Sequence, residues 1–230
     1  MILGPIHTYY LLKSSFISFI AVILCLNAHS QSNFYRLGIG AGYGITQSYT
    51  DLPKSRTGSV FNLNADYHFT PRLSAGIEYQ NGNIKGKAGE NTGDRRIFTN
   101  SFASAALVGK LHLNDWVYVG AGAGVIHNTM VEIERVVVDE VATYPGNEVS
   151  NDLLIPINAG ISYYFPDYSG IPRFGLNLNL QYNITLGEGL DGYDNSFTTF
   201  KNDRPDFYTY FSVGLKYNFG GMGISKRSRY

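Results

Sequence analysis

The stretch Phe174-Gly175-Leu176-Asn177-Leu178-Asn179-Leu180-Gln181-Tyr182-Asn183-Ile184-Thr185-Leu186 decides the fold class. Every even position carries an apolar side chain and every odd one a polar or small side chain. Successive side chains of a β-strand point to opposite faces, so a period of two sorts these residues onto two surfaces, whereas a helical period of 3.6 would mix them. The segment is predicted as one long strand with an apolar and a polar face.

The same alternation recurs on either side of it. Strands are predicted over 35–46, 61–69, 73–80, 97–113, 117–125, 153–165, 174–186 and 207–219, which makes eight. The run from Ile97 to Leu113 alternates least clearly. The connections alternate in length too. Thr70-Pro71-Arg72, Leu113-Asn114-Asp115 and the segment from Pro166 to Pro172 are short and rich in turn residues, whereas 47–56, 81–96, 127–150 and 187–206 are long. Short turns at one end and long loops at the other suit an up-and-down antiparallel barrel that crosses an outer membrane, with the turns and both termini on the periplasmic side.

Aromatic residues on the apolar faces fall into two bands. Tyr35, Tyr67, Phe69, Tyr163, Phe165, Phe174, Tyr217 and Phe219 lie near the short turns, and Tyr43, Tyr79, Tyr182 and Phe207 near the long loops. Leu, Ile, Val and Ala dominate between them. Aromatic rings gain from half-wet bilayer interfaces, so two girdles around an aliphatic belt point to lipid rather than to a soluble core.

Residues 1–30 read as a cleaved signal peptide. Lys13 precedes the apolar run Phe16 to Leu26, and Ala28-His29-Ser30 has the small-x-small pattern of a cleavage site. That run is too short for a spanning helix, which needs about 20 residues. Cys25 is the chain's one cysteine and lies in this segment, so the mature chain is expected to have no disulfide and no cysteine metal site. Without Lys13 the chain keeps 17 of its 18 basic residues against 18 acidic ones, a balance that offers nothing to nucleic acid.

The pattern resembles the small eight-stranded outer-membrane barrels of the OmpA-like and OmpX-like group. The resemblance runs from Asn33 to Phe219 and rests on the strand pattern, the Thr70-Pro71-Arg72-Leu73-Ser74 turn and the aromatic-ended last strand. It implies delivery to the barrel-assembly machinery, which reads a terminal strand ending in Phe, here Phe219. The basic tail Gly220 to Tyr230 departs from that pattern and is too short for a peptidoglycan-binding domain.

On the polar faces stand Arg36, Asp66, His68, Glu78, Lys110, His112 and Lys216. Arg36, Asp66 and Lys216 fall at similar depth on strands that become neighbours on closure, so an ion-pair cluster of these three is expected inside. An eight-stranded barrel is just wide enough for side chains to fill it. No nucleophile stands with a matching base: His68 and His112 lie at the periplasmic end, and His127 shares the outward parity of Val125. No catalytic, cofactor or metal site is therefore expected.

The partners expected are outer-membrane lipid and lipopolysaccharide, the assembly machinery and a protein that meets the long loops. In the third loop the run Val131 to Glu140 is β-rich and acidic and could offer an edge to a partner strand. Glu188, Asp191, Asp194, Asp203 and Asp206 in the fourth could meet divalent ions that bridge lipopolysaccharide, without the spacing of a calcium loop. The main expectation is a structural or surface-interacting barrel without catalysis. A narrow uptake pore and a soluble exported β-sandwich are the alternatives.

Overall fold

The computed structural model describes residues 33–50, 54–87, 97–134, 149–187, 189–191 and 206–224. Residues 1–30, expected as a signal peptide, most of the third loop, the residues Glu188, Asp194 and Asp203, and the basic end 225–230 lie outside them.

The described chain is strand and turn throughout. The strands are β1 (Asn33–Tyr49), β2 (Lys54–Arg56), β3 (Gly58–His68), β4 (Leu73–Lys87), β5 (Ile97–His112), β6 (Val117–Glu134), β7 (Val149–Pro166), β8 (Pro172–Leu186) and β9 (Phe207–Ile224). Each long strand pairs antiparallel with its neighbours, β1 with β9, and β4 closes onto β5. The three-residue β2 pairs with β4 above β3, so it continues the β3 stave after a break at Thr57. The result is a closed barrel of eight staves, which rules out the soluble sandwich.

Closure explains how such apolar strands coexist with a polar core. Ile39, Leu63, Ile77, Leu107, Val125, Ile157, Leu178 and Val213 are all exposed on the outer surface. Asn62, Asn158, Asn177, Asn179, Gln80, Gln181 and Asn183 are all buried inside. The inversion fits a molecule solvated by hydrocarbon, in which closure leaves no unpaired strand edge.

Strands overrun several predicted limits. β6 reaches Glu134, where it pairs with β5, and β7 begins at Val149, so the third loop starts and ends on a raised ladder. β9 runs past Phe219 to Ile224, so the first five residues of the expected tail belong to the barrel. Gly220 makes this extension possible. Its φ of 88° lies in the left-handed region that glycine adopts freely, and it stands where the β1–β9 register shifts between Tyr35 and Leu37.

Candidate functional site

The interior gathers buried polar chemistry from every stave, layered along the barrel axis. At the short-turn end a vestibule of about 380 Å³ is lined by Phe34, His68, His112, Trp116, Tyr164 and Asn218. The His68 and His112 rings lie 5.6 Å apart.

Above the vestibule lies a charged layer. Lys110 donates to both Asp66 oxygens, at 2.7 and 2.8 Å, and the pair is buried. Asn64 Nδ2 adds a third hydrogen bond to Asp66 Oδ2 at 2.9 Å. Lys216 is buried beside them with its ammonium 4.5 Å from the Tyr118 ring centre, a cation–π contact. Glu78 accepts hydrogen bonds from Gln80 Nε2 at 2.7 Å and the Tyr210 hydroxyl at 3.1 Å. Each buried charge thus has an opposite charge or a directed polar group beside it, as burial demands. The glycine column makes room for the aromatic ring: a Cβ on Gly160 would fall on Tyr118.

An amide layer follows. Tyr118 links Asn177 and Asn179, and Asn179 Nδ2 reaches the Tyr210 hydroxyl at 3.1 Å. The Tyr210 hydroxyl also contacts Gln181 at 3.1 Å, and Gln181 donates to Asn183 at 2.9 Å. At the long-loop end the interior turns apolar: Val60, Ile84, Phe98, Phe102, Ile126, Leu154 and Leu190 form one buried cluster with Tyr208 and Tyr210. Leu190 belongs to the fourth long loop, folded into the mouth and held there by Asn100 Nδ2, which donates to its carbonyl at 2.8 Å.

The predicted residues separate on this frame. Asp66, Glu78, Lys110 and Lys216 all point inward. His112 is half-buried at the vestibule, with Nε2 3.4 Å from Ser74 Oγ. Arg36 does not join the cluster: it is exposed and its guanidinium lies 3.3 Å from the Tyr67 hydroxyl. Arg36 lies one residue beyond the last β1–β3 pair, Leu37 with Tyr67, so it sits at the open short-turn rim, where a charge keeps its water. Lys110, expected only as another lumen charge, takes the place beside Asp66.

The aromatics named for the girdles stand on the outer side, Tyr43 and Phe69 most exposed among them. Phe174, Tyr217 and Phe219 contact in series near the short turns, as do Tyr163 and Phe165. Tyr182 packs on Phe207 near the long loops. Tyr49 and Trp116 join these groups and were missed, because each stands at a strand end where alternation gives no parity.

The alternation sets Tyr118 on the inner face, but the sequence missed the interior Tyr208 and Tyr210 and the apolar layer. The available signal was the poor alternation of residues 97–113, which arises because Phe98, Phe102, Ala106 and Val108 face inward. The Ser74–His112 contact is part-buried, with Ser74 1% exposed and His112 half-buried at the vestibule. His127 is exposed, and its Nδ1 lies 2.7 Å from Asn151 Oδ1. Among the described residues no three of His, Cys, Asp and Glu gather as a metal-ligand set.

One polar contact ties the short-turn rim. The Tyr35 hydroxyl donates to Asp167 Oδ2 at 2.7 Å, and the backbone N–H groups of Ser169 and Ile171 donate to Oδ1. The Tyr35 hydroxyl first, and then the Ile171 N–H, hold the Asp167 carboxyl below its ordinary value. A depressed value stabilises the folded turn above the unfolded-state pKa, and that contribution is lost as pH falls through the folded one. Hydrogen exchange at the Ile171 amide should accelerate over that acidic interval beyond the intrinsic trend, and Asp167→Asn should remove the excess.

Among solved structures, the chain is similar to Neisserial surface protein A (14% identity, 80% of this chain and 97% of that one, TM-score 0.49). It is similar to Ail of Yersinia pestis, solved with the heparin analogue sucrose octasulfate (13% identity, 83% and 100%, TM-score 0.47). It is also similar to OprG of Pseudomonas aeruginosa (10% identity, 82% and 98%, TM-score 0.45). No curated protein matches it significantly. The sequence matches the outer membrane protein beta-barrel domain over residues 16–221. That match takes in every strand of the closed barrel except the last residues of β9, and the chain belongs to the outer membrane protein beta-barrel domain family.

Proposed function

We propose that this chain is a sealed, non-catalytic outer-membrane barrel that acts through its long-loop end. The observation that carries the reading is the apolar layer across the lumen, closed from above by Leu190. Water and ions cross neither a buried apolar layer nor a packed polar lumen without a large desolvation cost. The interior therefore serves as a rigid plug, and the raised β5–β6 ladder and the loops above it present the contact surface. The narrow-pore alternative has the vestibule in its favour, but that cavity ends at the charged layer.

The full-length protein in planar bilayers is expected to show no conductance steps above the bare-membrane baseline. Stable steps in the unmodified protein would overturn the sealed reading. The orientation has its own test: a tag inserted near Asn147 should be labelled on intact cells, with the termini protected. A protected Asn147 tag would reverse it.

A further inference from the structure

The outer face of β4 changes character with height. Leu73, Ile77 and Tyr79 are exposed members of the apolar belt, Asn81 and Asn83 follow, and Lys85 and Lys87 come last with the same parity. β2 then sets more positive charge beside them. Arg56 stands directly opposite Lys85 and Lys54 directly opposite Lys87. Lys54 and Arg56 are exposed, whereas Ser55 between them turns inward and accepts a hydrogen bond from the Ser48 N–H at 3.1 Å. The four cations therefore share one face.

Directly opposed residues of an antiparallel pair have Cβ atoms about 5 Å apart, where like charges destabilise the ladder. On the other side of β4, Lys85 faces Thr99 of β5, and Thr99 faces Glu132 of β6. Glu132 is engaged with the Thr99 hydroxyl at 3.4 Å. It lies two strand spacings, roughly 10 Å, from Lys85, which is at the limit of screening in physiological salt. An anion between Arg56 and Lys85 would turn a repulsive rung into a bridged one.

We infer that Lys54, Arg56, Lys85 and Lys87 form a binding site for phosphate groups on the saccharide headgroups of outer-leaflet glycolipid. The side chains share the outward parity of Ile77 and Tyr79, so they project sideways over the lipid annulus rather than over the mouth. Lys85 lies six residues beyond Tyr79, about 15 Å further along the membrane normal for a tilted strand, within the layer of a sugar-bearing headgroup. The Arg56 guanidinium supplies the forked donor pair that phosphate takes bidentately, and the lysines supply point charges around it. The outer-leaflet part of this assignment rests on the orientation proposed above.

The test uses full-length protein in phospholipid nanodiscs and two probes, bisphosphorylated lipid A and the same glycolipid dephosphorylated. The wild type is expected to bind the phosphorylated form about tenfold more tightly, as suits charge-assisted bonds from two partly exposed cations. Arg56→Gln with Lys85→Gln should abolish that preference, and heat-modifiable gel migration should show the variant folded. In glycolipid-free discs the variant should melt at the same temperature as the wild type or higher, because the repulsion is gone.

Equal binding of the two probes by the wild type, or an undiminished preference in the variant, would overturn the site. Inorganic phosphate competing as strongly as the glycolipid would overturn the headgroup assignment. A protected Asn147 tag with the preference intact would overturn the outer leaflet and leave the phosphate site standing.

Discussion

Lys110→Met is expected to cost the barrel about 3–5 kcal/mol of unfolding free energy, the range for stripping one partner from a buried ion pair. Lys110 meets both oxygens of Asp66, and the two side chains are only 3% and 6% exposed. Without the ammonium, the carboxylate keeps Asn64 and the field of Lys216, whose ammonium is engaged with the Tyr118 ring. It cannot regain the water it gave up on folding. Lys216→Met should cost less, on the order of 1–2 kcal/mol, because it removes a cation–π contact and leaves the bidentate pair whole. Combining Lys110→Met with Asp66→Asn should recover most of the loss, since two neutral groups carry no uncompensated charge. Equilibrium urea unfolding in lipid vesicles, followed by Trp116 fluorescence and gel mobility, measures all three variants. A Lys110→Met loss under 1 kcal/mol, or equal losses for the two lysines, would show that Lys216 and the amides hold Asp66 instead.

Opening the apolar layer should have an effect of similar size and a second readout. Phe102 is 1% exposed, its ring lies 5.0 Å from that of Tyr208, and its β4 partner Gly82 supplies no side chain to fill in behind it. Phe102→Ala is expected to cost about 3–5 kcal/mol, because the closed hydrogen-bonded wall cannot collapse onto the void. With Phe98→Ala added, the layer loses both of its phenylalanines, and the mouth is held by aliphatic side chains, Tyr208, Tyr210 and the Leu190 segment. The double variant should show conductance steps in planar bilayers where the wild type shows none. A stable but silent double variant would place the seal in the amide layer below.

The strand pattern was legible because side-chain parity is a local property of an extended chain. Phe174 to Leu186 declares its two faces without reference to anything else, and the exposed outer face of β8 follows from it directly. The short turns were legible for the same reason: Asn114 Oδ1 accepts from the N–H groups of Trp116 and Val117 within its own turn. Barrel closure followed from counting staves, and the lipid-facing belt from where the aromatics cluster.

What the sequence could not show depends on partners distant along the chain. Arg36 stays out of the cluster because the β1–β3 ladder ends at Leu37 and Tyr67 and leaves it at the rim, a limit invisible in the Tyr35-Arg36-Leu37 string. Lys110 is the partner of Asp66 because closure sets β3 and β5 on either side of β4 and brings their inner side chains within reach. Phe98 and Phe102 form a plug because an inward apolar residue on one strand becomes a layer only when other strands raise theirs to the same height. The facing of Lys54 and Arg56 to Lys87 and Lys85 likewise exists only in the register. By itself the sequence determined which face of each strand meets lipid, since a period of two suffices for that. The tertiary structure alone decided which inward residues meet, because that depends on register, bulge and shear around a closed ring.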